Sequence, residues 1–167
     1  SGNPFFIREV LLHLAEEGAL VHARGGWSAA VAVETLRIPE TVRQVIERRL
    51  GRLGDAARRL MDSAALFTET VRFDIAAQVA GLEETAGLNA LDEVLAAQLL
   101  KSTPDPHAYE FTHALVRHTL YGALNAPRRV RLHRQIAEAM ERAYGADAER
   151  YAGEIARQYY QSAALPG

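Results

Sequence analysis

Apolar residues recur at helical spacing along most of this chain, interrupted by a few short stretches that read as strands. Asn3 is placed to cap a helix that opens with Pro4 and carries Phe5, Phe6, Ile7, Val10, Leu11, Leu12 and Leu14 towards Gly18. Apolar around most of its circumference, this helix predicts burial on several sides and a natural protein that continues upstream. Residues 19–24 and 27–33 flank Gly25-Gly26 and predict a small hairpin. After Ile38-Pro39, the residues Val42, Val45, Ile46 and Leu50 form one apolar stripe, with Arg43, Gln44, Glu47, Arg48 and Arg49 on the other faces. Asp55 is a candidate cap for a further helix through Leu60, Met61, Ala64 and Phe67.

A short helix is expected after Phe73-Asp74, ending at Gly81, and another over residues 84–98 that buries Leu88, Leu91, Val94 and Leu95. Residues 99–102 and 107–111, joined through Thr103-Pro104-Asp105-Pro106, read as two strands of a wing. Three helices followed by a hairpin spell a winged helix-turn-helix over residues 53–112. Helices then cover 113–124, 128–144 and 148–164, Pro127 starting the second and Gly145 ending it. The last, with Ala152, Ile155, Ala156 and Tyr159 on one face, pairs with the helix before it like the first unit of a helical repeat. The predicted fold is mainly α in three segments: 1–52 helical with a small β-hairpin, 53–125 winged helix, and 126–167 an antiparallel helix pair opening a TPR-like array.

With 167 residues, 49% of them hydrophobic, the chain is long enough to bury a core. A formal charge of −2 gives no global attraction to nucleic acid or anionic lipid. The absence of cysteine removes disulfides, thiolate metal sites and a cysteine nucleophile, and fits a cytoplasmic setting. No apolar run approaches the roughly 20 residues that span a bilayer, so no membrane partner is expected. Lys101, the only lysine, follows Leu100 and not a glycine, so there is no P-loop. His113 and His118 are five apart and point to different sides of a helix, which argues against zinc. No nucleophile elbow or catalytic set stands out, and the chain is not expected to be an enzyme by itself.

A winged helix raises the alternative of a DNA-binding transcription factor. The helix that would enter the major groove carries Glu83, Glu84, Asp92 and Glu93, and no lysine or arginine between residues 83 and 98. Phosphates would repel it, so direct DNA binding is disfavoured and a protein-packing role preferred. Positive charge gathers instead in Arg117, His118, Arg128, Arg129, Arg131, His133 and Arg134. Arg128, Arg131 and Arg134 predict one stripe that a phosphate ligand or RNA could use; the preferred reading is a solvated stripe partnered by Glu138 and Glu141, or one met by carboxylates of a neighbouring domain.

Two motifs carry a resemblance: the opening Gly2-Asn3-Pro4-Phe5-Phe6 and the stretch Phe111-Thr112-His113-Ala114-Leu115-Val116-Arg117, which closes at Tyr121. With Ile38-Pro39-Glu40-Thr41-Val42-Arg43 and the run 132–139, they resemble successive landmarks of bacterial STAND-type, AAA+-like signalling ATPases, found in large LuxR-type regulators and cyclase-fused proteins. The resemblance implies a helical lid over 1–52, with a P-loop domain upstream and a helical sensor array downstream as partners in the same protein. It implies that Gly2, Asn3 and Pro4 abut the adenine of ATP or ADP, and that His113 contacts its phosphates. Relatives in animal apoptosis and plant immunity have Met-His-Asp where this chain has Thr112-His113-Ala114. Arg117, one turn beyond His113, is a candidate second phosphate contact. The isolated chain is expected to hold no cofactor, because the nucleotide would be housed by the P-loop domain.

Overall fold

The computed structural model describes residues 20–23, 26–29 and 40–163, which are mainly helical, and the chain divides into two compact units between Gly51 and Arg52. The predicted opening helix, with Gly2, Asn3 and Pro4, lies outside the described residues. In the first unit β1 (Leu20–Ala23) pairs antiparallel with β2 (Gly26–Ala29), Ala23 facing Gly26. The second strand thus starts on Gly26, a residue expected to lie in the turn. Helix α1 (Glu40–Leu50) keeps Ile46 and Leu50 buried and leaves Arg43, Gln44, Glu47 and Arg48 exposed, as the stripe predicts.

The second unit begins with α2 (Asp55–Ala64), whose Ala57, Leu60, Met61 and Ala64 are buried at i, i+3, i+4 and i+7. Asp55 does not cap this helix; Gly54 holds the cap position, and its N–H donates to Glu93 Oε1 at 2.7 Å. A carboxylate from another helix therefore meets one of the amide donors at the start of α2 and its positive dipole end. The helix is also shorter than expected. It closes in a tight turn, with Leu66 N donating to Ser63 O and Phe67 N to Ala64 O, while residues 64–67 stay fully buried.

Next come β3 (Val71–Arg72), α3 (Phe73–Val79), α4 (Glu84–Ala96), β4 (Leu100–Ser102) and β5 (Ala108–Phe111). The sheet is antiparallel in the order β3-β5-β4, with Val71 opposite Tyr109 and Leu100 opposite Phe111. β3 is absent from the sequence reading because two residues carry no periodicity. Helix α4 packs on α2 and buries Gly87, Ala90, Leu91 and Val94, with Gly87 turned towards Phe73 and Ala77 of α3. Leu88, expected in the core, is 48% exposed; the small Gly87 and Ala90 take the inner face instead.

The unit closes with α5 (Ala114–Ala123), α6 (Ala126–Tyr144), a 3₁₀ segment (Gly145–Tyr151) and α7 (Ala152–Ala163). Asn125 caps α6 by accepting the Arg128 N–H at 2.9 Å, and Pro127 sits in its first turn. At its far end Gly145 takes φ +45°, as the glycine stop predicts. Tyr144 at the end of α6 stacks on Tyr151 of the 3₁₀ segment, while α6 and α7 pair His133 with Gln158 and Glu141 with Tyr159, so the two helices run antiparallel. On α7 the buried positions are Ile155 and Gln158, while Ala152 and Ala156 are exposed, a rotation from the predicted face.

Helices α3 and α4 end in the same motif with different residues at its critical place. After α3, Leu82 N donates to Ala77 O and Gly81 N to Gln78 O, with Gly81 at φ +65°. After α4, Leu99 N donates to Val94 O and Gln98 N to Leu95 O, with Gln98 at φ +56°. A left-handed glutamine costs about 1 kcal/mol relative to glycine. Gln98→Gly is therefore expected to raise unfolding stability by roughly 0.5–1 kcal/mol in urea titrations, whereas Gly81→Gln lowers it by a similar amount.

Candidate functional site

The singled-out stretch starts where β5 stops. His113 is the N-cap residue of α5, in extended conformation (φ −145°, ψ 137°), half-buried, and its carbonyl accepts the Val116 N–H. Arg117 follows one helical turn later and is turned inward: its Nε donates to the Phe67 carbonyl at 2.6 Å. That carbonyl lies just past the closing turn of α2, at the helix end where carbonyls lack donor partners of their own and the dipole is negative. Burial, then the nearby Arg157, lowers the Arg117 pKa.

A second side chain reaches the neighbouring carbonyl. Gln158 of α7, fully buried, donates from Nε2 to Leu66 O at 3.2 Å. Its Oε1 then faces His133 Nδ1 at 2.6 Å, so Nδ1 is the protonated nitrogen of that ring. His133 is 3% exposed. Burial lowers its pKa most, the Gln158 bond opposes this, and Arg157, Arg117 and Arg129 lower it further. The ring is neutral, which leaves Nε2 to accept from the Tyr121 hydroxyl at 3.2 Å. A one-way chain results: Tyr121 O–H to His133, His133 N–H to Gln158, Gln158 N–H to Leu66 C=O. The guanidinium of Arg129 lies 5.1 Å from the Tyr121 ring centroid and that of Arg117 5.8 Å.

This arrangement corrects the reading of the basic cluster. His133 belongs to the core and carries no positive charge. Arg128 pairs with Asp62 at 3.1 Å, and Arg134 pairs with Glu138 at 3.3 Å, the partner expected from sequence. Glu141, the other expected partner, instead accepts from the Tyr159 hydroxyl at 2.7 Å. The signal for the buried seam was a polar residue at apolar spacing: His133 sits between Leu132 and Ile136, and Gln158 three places after Ile155. Among the residues the resemblance nominates, His113 and Arg117 share one helix start; Gly2, Asn3 and Pro4 are not described.

A polar recess of about 660 Å³ lies beside the seam, between the sheet and α7. Within it Arg72 pairs with Asp105 at 2.9 Å and Arg157 with Glu154 at 3.7 Å, and Glu69 and Glu110 also line it. Burial pushes the Tyr144 hydroxyl there up to about 12. Among the described residues no group of three histidines or carboxylates is placed to hold a metal ion. No known protein family, curated protein or solved structure matches this chain.

The His133 pKa is depressed in the folded protein, so the unfolded chain, with an ordinary histidine value near 6.5, binds the proton first as pH falls. The contribution of a neutral His133 is complete above that value and is lost as pH drops towards the folded pKa. Stability is expected to decline as pH falls below about 6.5, by at most about 1.4 kcal/mol per unit, and His133→Gln should flatten that part of the slope. Gln158→Leu leaves His133 Nδ1–H and Leu66 O buried without partners and is expected to cost roughly 2–4 kcal/mol, read by urea unfolding at pH 7.5.

Proposed function

We propose that this chain is the non-catalytic regulatory portion of an ATP/ADP-dependent signalling ATPase, coupling nucleotide state to an effector domain. The helix–strand–helix–helix–strand–strand order over residues 55–111, with sheet order β3-β5-β4, supports a winged helix within it. The antiparallel α6–α7 pair supports the opening of a helical array, and Tyr160, 72% exposed on α7 near exposed Ala156, is a surface on which a further helix would pack.

The observation that carries the reading is the placement of His113. It occupies the N-cap position of the helix that follows the central strand β5, and one turn later Arg117 anchors that helix to the Phe67 carbonyl just past α2. A phosphate held against His113 would thus bear on a helix whose next turn is fixed in the core. In this reading Gly2, Asn3 and Pro4 meet the adenine and His113 the phosphates of a nucleotide housed by an upstream P-loop domain. Arg117 serves first as the anchor, and any phosphate contact it makes uses the terminal nitrogens of its guanidinium. Nucleotide release then shifts the population between a closed and an open arrangement.

DNA binding by the winged helix is the weaker reading. Glu83, Glu84 and Asp92 are exposed on the helix that would meet the duplex, and Glu93 is committed to Gly54. Among the described residues no helix is long and apolar enough to cross a membrane. A cytoplasmic setting completes the proposal.

Nucleotide retention tests it. The chain of 167 residues alone is expected to bind neither ATP nor ADP in calorimetry, while a polypeptide extended upstream through the P-loop domain should keep ADP through purification. In that longer protein His113→Ala should release a fluorescent ADP analogue at least about tenfold faster, the loss of one charge-assisted contact. An unchanged release rate would remove His113 from the switch.

A further inference from the structure

The acidic helix that disfavours DNA also borders an apolar groove of about 650 Å³, formed by α3, the first half of α4 and the loop before β5. Phe73 and Tyr109 meet edge to face in it, with ring centroids 6.2 Å apart, and Leu82 and Leu91 line it. Leu88 stands on its lip, 48% exposed, one of two large hydrophobic side chains so exposed among the described residues. Asp74, Glu83 and Glu84 also line it, all three exposed, and no lysine or arginine lines it.

We propose that this groove is a docking site for a short basic amphipathic helix of a partner protein, one with apolar residues on one face and arginine or lysine flanking them. An apolar floor beside the exposed carboxylates of Glu83 and Glu84, with Asp74 near them and met by Arg72 at 3.9 Å, selects that chemistry and repels acidic or nucleic-acid partners. From Glu83 to Leu91 the groove edge advances about 12 Å along α4, the rise of eight residues, which accommodates roughly two helical turns of a ligand. A second copy of this chain does not supply such a face from its arginine-rich helix: in α6 the apolar Leu132, Ile136 and Met140 are buried. The site is independent of the nucleotide switch, since neither His113 nor Arg117 lines it.

The probe is a fluorescein-labelled synthetic peptide of about four helical turns, leucines at i, i+3, i+4 and i+7 and arginines flanking them, compared with the same peptide carrying glutamates for arginines. Fluorescence anisotropy with the 167-residue chain should show binding of the arginine peptide only. Leu88→Asp should weaken it about tenfold, and Glu83→Gln with Glu84→Gln several-fold. Binding should also weaken as salt rises. Leu88 is half-exposed, so the variant should retain the parent melting temperature; were it to lose it, Leu88→Gln, which adds no charge, provides the same comparison. Equal binding of both peptides, or indifference to both the Leu88 and the glutamate changes, overturns the proposal. So does concentration-dependent self-association abolished by Leu88→Asp, which would make a second copy the occupant, or groove-dependent binding of a labelled DNA duplex.

Discussion

Two backbone carbonyls, those of Leu66 and Phe67, govern how this structure is assembled. They lie just past the end of α2, the most buried helix of the second unit, in a turn from which solvent is excluded. A buried carbonyl without a donor costs on the order of 1–3 kcal/mol, so each must be met by a group brought from elsewhere. Arg117 comes from α5 and Gln158 from α7, 50 and 92 residues away in sequence respectively. Because a long side chain reaches only a few ångströms, these two bonds fix where both helices lie against α2. Gln158 in turn dictates the His133 tautomer, and His133 orients Tyr121. The polar seam and the helical core are one construction.

The same economy of partners explains the electrostatics. Cationic side chains that look free in the sequence are spent on the fold: Arg117 on a carbonyl, Arg128 on Asp62, Arg129 near the Tyr121 ring. Carboxylates divide likewise. Glu93 faces the start of α2, whereas Asp74, Glu83 and Glu84 remain on the surface beside exposed apolar groups. The groove beside the sheet is therefore acidic and partly apolar, while exposed arginines such as Arg131 and Arg134 lie on the helical pair. A molecule so divided presents different partners with different chemistry.

Periodicity made the long helices legible, because they have apolar residues three or four apart, and in α6 an asparagine, a proline and a glycine mark the ends as well. It failed where local rules were overruled. The two residues of β3 have no pattern of their own and are a strand only because β5 lies beside them. Gln98 occupies a conformation usually given to glycine, so nothing in its identity marks the end of α4. Leu88 faces outward although its spacing belongs to the core, since Gly87 and Ala90 permit the closer approach to α2 and α3. In the candidate site, His113 and Arg117 were nominated by motif, and Arg117 proved to be directed inward. His133 and Gln158 were invisible as partners because their meeting depends on how α6 and α7 pack, which spacing within either helix does not specify.

Between α5 and α6 the chain passes through only Leu124 and Asn125, both in extended conformation. So short a link resembles a knee, and bending there would swing the α6–α7 pair as one limb. Yet Arg117 pins the thigh and Gln158 the shin to adjacent atoms of the same turn. With one strap on either side of it, the joint is held at a single angle, and a swing of the limb has to begin by freeing Gln158 from its carbonyl.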